Sequence, residues 1–514
     1  MEKTMNFTLN TTVKAAALGC GLLVAAGPAM AGKSDDTLRV AMAEEILNLD
    51  YLYTTKREYI IMSQITDATL FDLDPHTQEY NPAVATDYNY VDDLTLDVTL
   101  REDVVFHDGT ALTADDVVYT YNWIIADESE AQAKGTISRW LDSAEKTGEY
   151  SVRFNLKTVY PLVLRDMAQR VMLRKDGAYV ENGEIDQSAM ADGLIGVGPY
   201  EVVSFEPGQE VVLKRFEDFF GEAPEIENIV VRNLPDIGTQ QAELMSGGID
   251  WMFKVPLDLA QSLGATPQAK HLSGPDLRVG FLVLDAAGYT DPDGPLTNLK
   301  VRQAVNHALN RDEMAEFLIG GSSEGIHTPC HPAQFGCTTD IQAYPYNPAK
   351  ARELLAEAGY PDGFELELWA YRNKASSEAM ASDLEAVGID VDLRYVKLAS
   401  LNQARAERNI PAYFGTWGSG GTADTAAIAR VHFSAESDRN LSGDDELTEM
   451  VMAAEQTNDQ AERAELYETA LNRIADQAYW APLFSFSANY LVSPDLNFPL
   501  SPDGLPRLHQ TSWE

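Results

Sequence analysis

The sequence predicts a mixed α/β protein built from two or three lobes behind a cleavable leader. Three observations carry that expectation. Its 514 residues exceed what one hydrophobic core usually supports. Segments of period two alternate with segments of helical period along the chain, the pattern of mixed α/β lobes. A content of 45% apolar against 23% charged residues suffices for large cores, despite a net charge of −42 from 38 Lys+Arg and 80 Asp+Glu. So acidic a surface repels phosphate backbones, which argues against nucleic acid or an anionic membrane as partner.

The leader comes first. Lys3 and Lys14 flank a polar start, the apolar run Ala15 to Gly27 follows, and Ala29-Met30-Ala31 supplies a small-x-small cleavage site. Residues 1–31 therefore read as a secretory signal peptide, the run being shorter than the ~20 residues of a membrane anchor. Ala17-Leu18-Gly19-Cys20 is a weak lipoprotein box, since few apolar residues precede Cys20 and the better cleavage site lies after it. Cleavage removes two lysines and one glutamate, leaving 483 residues with a charge of −43. Export makes Cys330 and Cys337 the remaining cysteines, and in an oxidising compartment they should form a disulfide that pins a loop. Loop entropy assigns such a bond roughly 2–3 kcal/mol. The competing reading is a metal site of His327, Cys330, His331 and Cys337, which Pro329 and Pro332 disfavour by interrupting the loop.

Strands are expected where apolar residues alternate: Leu94 to Leu100, Ser151 to Leu156 and Phe364 to Leu368. Helical periodicity runs through Val301 to Leu318, Ala349 to Ala358 and Ala461 to Ala478, with Gly359 and Gly388 placed as C-terminal caps. The Gly-, Asp- and Pro-rich segment Asp285 to Leu296 reads as a crossing between lobes. The strand-like runs Leu483 to Phe486 and Asn489 to Val492 read as the chain's return to the first lobe.

Catalytic motifs fail on context. Gly321-Ser322-Ser323-Glu324-Gly325 matches G-x-S-x-G, but a nucleophile elbow needs a strand before the serine and a helix after it. Here a helix precedes and a Pro-containing loop follows. Gly196-Val197-Gly198-Pro199 continues into Pro-Tyr rather than a helix, so it offers no helix N-terminus to a phosphate. No H-E-x-x-H occurs, and the eight histidines are scattered apart from His327 and His331. The sequence implies no enzyme and no cofactor.

Residues 92–124 are specific. Asp93 to Leu100 is a strand, Asp108-Gly109 a turn, and Thr113 an N-cap with Asp116 as the capping-box acid. The whole stretch, through His107-Asp108-Gly109-Thr110 to Thr113-Ala114-Asp115-Asp116-Val117, resembles the signature of family 5 extracellular solute-binding proteins. Further segments resemble that family in its order: Gly196 to Tyr200 with Pro207-Gly208, Arg215 to Gly221, Gly247 to Asp250, Val301 to Arg311, and Ala349 to Gly363. The resemblance spans nearly the whole mature chain.

The resemblance implies a two-lobed periplasmic binding-protein fold of type II with an extra subdomain in lobe I. Lobe I would take residues 32–282 plus 485–514, and lobe II residues 283–484. It implies a monomeric periplasmic receptor that closes on a small solute, by default a peptide, and delivers it to an ABC-transporter permease. Receptors for non-peptide organic acids or oligosaccharides are the alternatives, and a secreted hydrolase is the alternative of another class. In peptide-binding relatives an Asp shortly after a Trp pairs with the ligand's amino terminus. Here Trp417-Gly418-Ser419-Gly420 puts Gly420 at that place, leaving Asp424 or Asp285 as substitutes. Arg372 stands where dipeptide receptors bind the ligand carboxylate. Trp417, Tyr371 and Tyr59 are expected as apolar walls, with Gly418 and Ser419 on the cleft edge.

Overall fold

In the computed structural model, which describes residues 32–54, 56–419 and 422–514, the frame is a ten-stranded sheet. The leader 1–31, with Cys20, and Gly420 lie outside the described residues. The apolar run Leu38 to Met42 makes a buried strand, Thr37–Met42, parallel to Asn228–Asn233 and bridged through Val40 to Trp251–Phe253. Tyr200–Glu206 and Glu210–Arg215 extend that end antiparallel. At the other end Phe364–Ala370 pairs in parallel with Ile389–Tyr395 and Ala412–Trp417.

Two long strands, Lys270–Leu284 and Trp480–Val492, run antiparallel through the middle and serve both halves. Tyr490 packs with Leu38 and Ile229, whereas Leu282 and Leu483 pack with Val301 and Leu368. The passage between the halves is therefore a hydrogen-bonded strand pair. The segment Asp285 to Leu296, expected to be the crossing, is the loop that follows the first of these strands, and its Leu296 belongs to the second core. Gly, Asp and Pro mark a loop but not which bodies it joins. The register of the pair slips between Asp276 and Val279, so Leu277 and Arg278 have no partners across the ladder. Such a bulge bends a strand and re-aims its side chains.

A separate four-stranded antiparallel sheet runs Ala85–Asp92, Thr95–Leu100, Ser151–Leu156, Leu141–Gly148. Strict alternation buries Leu96, Val98 and Leu100 beneath the helix Ala114–Ile125. The expected capping box starts that helix: the Thr113 N–H donates to Asp116 Oδ2 at 2.7 Å, and Thr113 Oγ1 accepts from the Asp115 N–H. Gly109 turns the chain at a φ of 80°.

Helices Pro348–Glu357 and Gln460–Asp476 form as expected, and Gly359 and Gly388 adopt the left-handed conformations that their cap positions require. The helix expected from Val301 to Leu318 is interrupted. Leu299–Ala308 ends where Leu309 becomes extended, and the chain resumes as the short turns Arg311–Glu313 and Met314–Ile319. Buried Arg311 explains the break: its guanidinium donates to the carbonyls of Asn306, Tyr344 and Pro482, and a continuous helix would keep the Asn306 carbonyl for itself.

After the helix Ile237–Ser246, Asp250 is tied down by the Arg39 N–H at 2.9 Å. Burial pushes its carboxyl up to about 6 from an ordinary 3.8, against the hydrogen bond from Arg39. Folding thus favours the protonated form. The stability it contributes is full below the unfolded value and is lost as pH rises through the folded one. Asp250→Asn should therefore reduce the decline of melting temperature between about pH 4 and 6, and identical slopes in the two proteins would refute the assignment.

Candidate functional site

The bulge delivers Arg278 to a cavity of about 390 Å³ between the two halves, beside Asp276 on the same strand. Gly418, at the end of Ala412–Trp417, has no side chain to obstruct it; a Cβ there would lie 2.8 Å from Arg278 Nη2. Thr416 Oγ1 accepts from Arg278 Nη1 and from Arg372 Nη1, each at 3.1 Å. Arg372 follows the strand Phe364–Ala370 and lies 4.7 Å from the Tyr371 ring centroid. Trp417 forms an apolar wall, held by its indole N–H donating to the Ala427 carbonyl, and Arg439 covers its ring at 4.9 Å. Phe281 and Leu401 close the back of the cavity.

Charge is uneven in this cavity. Five arginines line it, with Asp276 as the one carboxylate among its described lining residues. Arg57 is already paired with Asp276 at 3.2 Å, and Arg405 with Asp438 at 2.9 Å. Arg278, Arg372 and Arg439 have no ion-pair partner among the described residues. Burial lowers the Arg278 pKa, and Arg372 and Arg57 add repulsion against the pull of Asp276. Burial and Arg405 do the same to Arg439. His432 lies at the inner wall, 3% exposed, edge-on to Trp417, Phe281 and Trp480, with neither ring nitrogen hydrogen-bonded. Burial first, then Arg439 and Arg405, push its pKa well below 6.5, so it is a neutral imidazole.

A larger cavity of about 580 Å³ adjoins this one, sharing Ile60 and Leu505. Its arginines are already neutralised: Arg101 by Asp103, Arg170 by Asp166 and Arg507 by Asp503. Asp72, Glu222 and Glu225 also line it without an ion-pair partner among the described residues, so its uncompensated charge is negative. The smaller cavity instead holds uncompensated cations beside Arg372, Tyr371 and Trp417 and is the site that suits an anion.

Of the eight residues expected at the cleft, Arg372, Tyr371, Trp417, Gly418 and Ser419 line this cavity. The other three lie elsewhere. Asp285 organises a turn, accepting from the Tyr289 and Thr290 N–H groups and from Thr290 Oγ1. Asp424 is held by both oxygens to buried Arg463 and accepts from the Ala426 N–H at the start of the helix Ala426–Phe433. Tyr59 is a core residue whose hydroxyl accepts from the Leu47 N–H. Neither aspartate is free to receive an ammonium. Arg57, Arg278, Arg405, Arg439 and His432 were not foreseen, because a lone Arg or His carries no local pattern and these meet only through tertiary packing.

Cys330 and Cys337 form the expected disulfide, and with both sulfurs so joined the ligand set His327, Cys330, His331 and Cys337 is not available to a metal. The bridged loop is more than a surface staple. Its Gln334 Nε2 donates to Ser419 Oγ at 2.9 Å and to the Thr422 carbonyl at 2.8 Å, while Phe335 exchanges backbone hydrogen bonds with Ala423 and Thr425. The loop thereby clamps the cleft edge. Gln334→Leu should speed amide exchange in residues 422–425 about tenfold or more while leaving the helix Gln460–Asp476 unchanged; unaltered exchange would contradict the clamp.

Two sequence motifs resolve as structural. Ser323 Oγ donates to the Ser485 carbonyl at 2.6 Å, on a turn rather than an elbow. Gly196 and Gly198 lie hard against Thr66, where a Cβ on Gly196 would come within 1.9 Å of the Thr66 carbonyl oxygen. They serve close backbone packing.

Two halves joined by a strand pair and enclosing a charged cavity are the arrangement of a solute-binding protein. The family model of bacterial extracellular solute-binding proteins, family 5, matches residues 79–438, and the chain belongs to that family. It is 26% identical over 492 residues to the glutathione-binding protein GsiB of Salmonella paratyphi A, covering 91% of this chain and 92% of that one. To heme-binding protein A of Haemophilus influenzae it is 25% identical over 462 residues, covering 83% and 82%. Among solved structures, HbpA2 from Haemophilus parasuis aligns with a TM-score of 0.82 at 23% identity, over 93% of this chain and 100% of that one. The ABC transporter substrate-binding protein CtaP from Listeria monocytogenes gives 0.81 at 22%, over 93% and 99%. These likenesses support the two-lobed α/β fold. No helix among the described residues is long and apolar enough to cross a membrane.

Proposed function

We propose that this chain is the periplasmic substrate-binding component of an ABC importer and that its ligand is a small organic anion. It performs no catalysis, acts as a monomer behind a cleaved leader, and passes its ligand to a membrane permease. Residues 32–282 with 485–514 form one lobe and 283–484 the other, and closure about the central strand pair encloses the solute. The carrying observation is the set of three guanidiniums, Arg278, Arg372 and Arg439, without counter-ions among the described residues of one cavity. Burying them on closure is unfavourable unless the solute brings the missing negative charge. A free peptide is disfavoured because within this cavity its ammonium finds only Asp276, which Arg57 already holds.

A thermal-shift panel of organic acids, their neutral amides and free dipeptides tests this reading. A ligand at 100 times its Kd stabilises by about 2.7 kcal/mol. Acids should raise the melting temperature of the mature protein. Stabilisation by dipeptides or sugars, with acids inert, would overturn the assignment.

A further inference from the structure

The charge in the cleft is more than one acid group can neutralise, and it lies at two places. At the first, Arg278 Nη1 and Arg372 Nη1 share Thr416 Oγ1 at 3.1 Å each, so those nitrogens are at most about 6.2 Å apart. Two cations converge on one neutral hydroxyl. An anionic group taking its place between them would receive hydrogen bonds from both forks. At the second, Arg439 lies across the Trp417 ring, and buried His432 packs perpendicular to that ring behind it. The Trp417 and Tyr371 rings, each stacked with one of these arginines, line the same cavity and suit an apolar or flat spacer.

We propose that the ligand is an organic diacid held at both ends, one acid group between Arg278 and Arg372 and the second at Arg439, with its middle against the aromatic lining. This rests on the anion reading above and narrows it. A monoacid would fill the first position and leave Arg439 unneutralised as the lobes close. A zwitterion would place an ammonium among guanidiniums.

The test is calorimetric titration of the mature protein with α,ω-dicarboxylates from succinate to azelate and with terephthalate, each beside its monoamide. At least one diacid should bind ten times or more tightly than its monoamide. Arg439→Gln should weaken diacid binding at least tenfold more than monoamide binding and so remove that preference, and circular dichroism would establish that the variant is folded. The proposal is overturned if monoamide and diacid bind equally, if Arg439→Gln weakens both alike, or if no diacid binds while monoacids do. If neither diacids nor monoacids bind, the anion reading falls with it, so the two failures are distinguishable.

Discussion

Arg174→Met is expected to cost the protein about 3–5 kcal/mol of stability, the penalty of leaving buried carboxylates without their cation. Arg174 is fully buried in the first lobe. Its Nη2 donates to Asp50 at 2.8 Å and its Nη1 to Asp67 at 2.5 Å, and the Tyr179 hydroxyl donates to Asp50 at 2.6 Å. One cation thus serves two acids that have almost no access to water. Burial pushes Asp67 up to about 6 even with the guanidinium beside it. Without Arg174 that carboxyl would take up a proton more readily still, so the loss should be smaller at pH 5 than at pH 8. Urea unfolding of both proteins at the two pH values measures this. A cost below about 1 kcal/mol, or one that grows towards acid pH, would contradict the buried triad.

The second large effect is on binding. Arg372→Glu should abolish capture of the acid ligand, and Arg278→Ala should weaken it by about 30-fold or more, from the roughly 2–5 kcal/mol lost when one partner of a buried charge pair is removed. Both residues share the Thr416 hydroxyl, so the effects of single and double alanine variants should not add. Thr416→Val should weaken binding less, because the hydroxyl only holds the forks in place. Titration calorimetry on the folded variants checks these values, and unchanged affinity in Arg372→Glu would remove the cleft assignment.

Much of the fold was legible where the signal is local. Alternation in Thr95–Leu100 and Ser151–Leu156, the capping box at Thr113 and the caps at Gly359 and Gly388 each depend on neighbours in sequence. The central strand pair was less legible, because a strand that is half-buried at its start, fully buried at its end and broken by a bulge after Asp276 does not alternate. The interrupted helix after Ala308 was hidden for the same reason: Arg311 is drawn to carbonyls as distant as Pro482. The site divides likewise. Trp417 and Arg372 line the cavity from strand ends, which are legible in sequence, whereas Asp285 and Asp424 lie away from it because a carboxylate's sequence does not reveal which turn or arginine already engages it. Gln334 acquires its role at the cleft edge through a loop nearly ninety residues away, a connection that only folding and the disulfide create.

Native mass spectrometry of the protein isolated from a periplasmic extract, followed by release of the bound small molecule, tests the central claim most directly. An organic acid in one-to-one ratio, absent from Arg278→Glu prepared in parallel, is the predicted result. A neutral sugar or a peptide with a free amino terminus, retained equally by that variant, would contradict it.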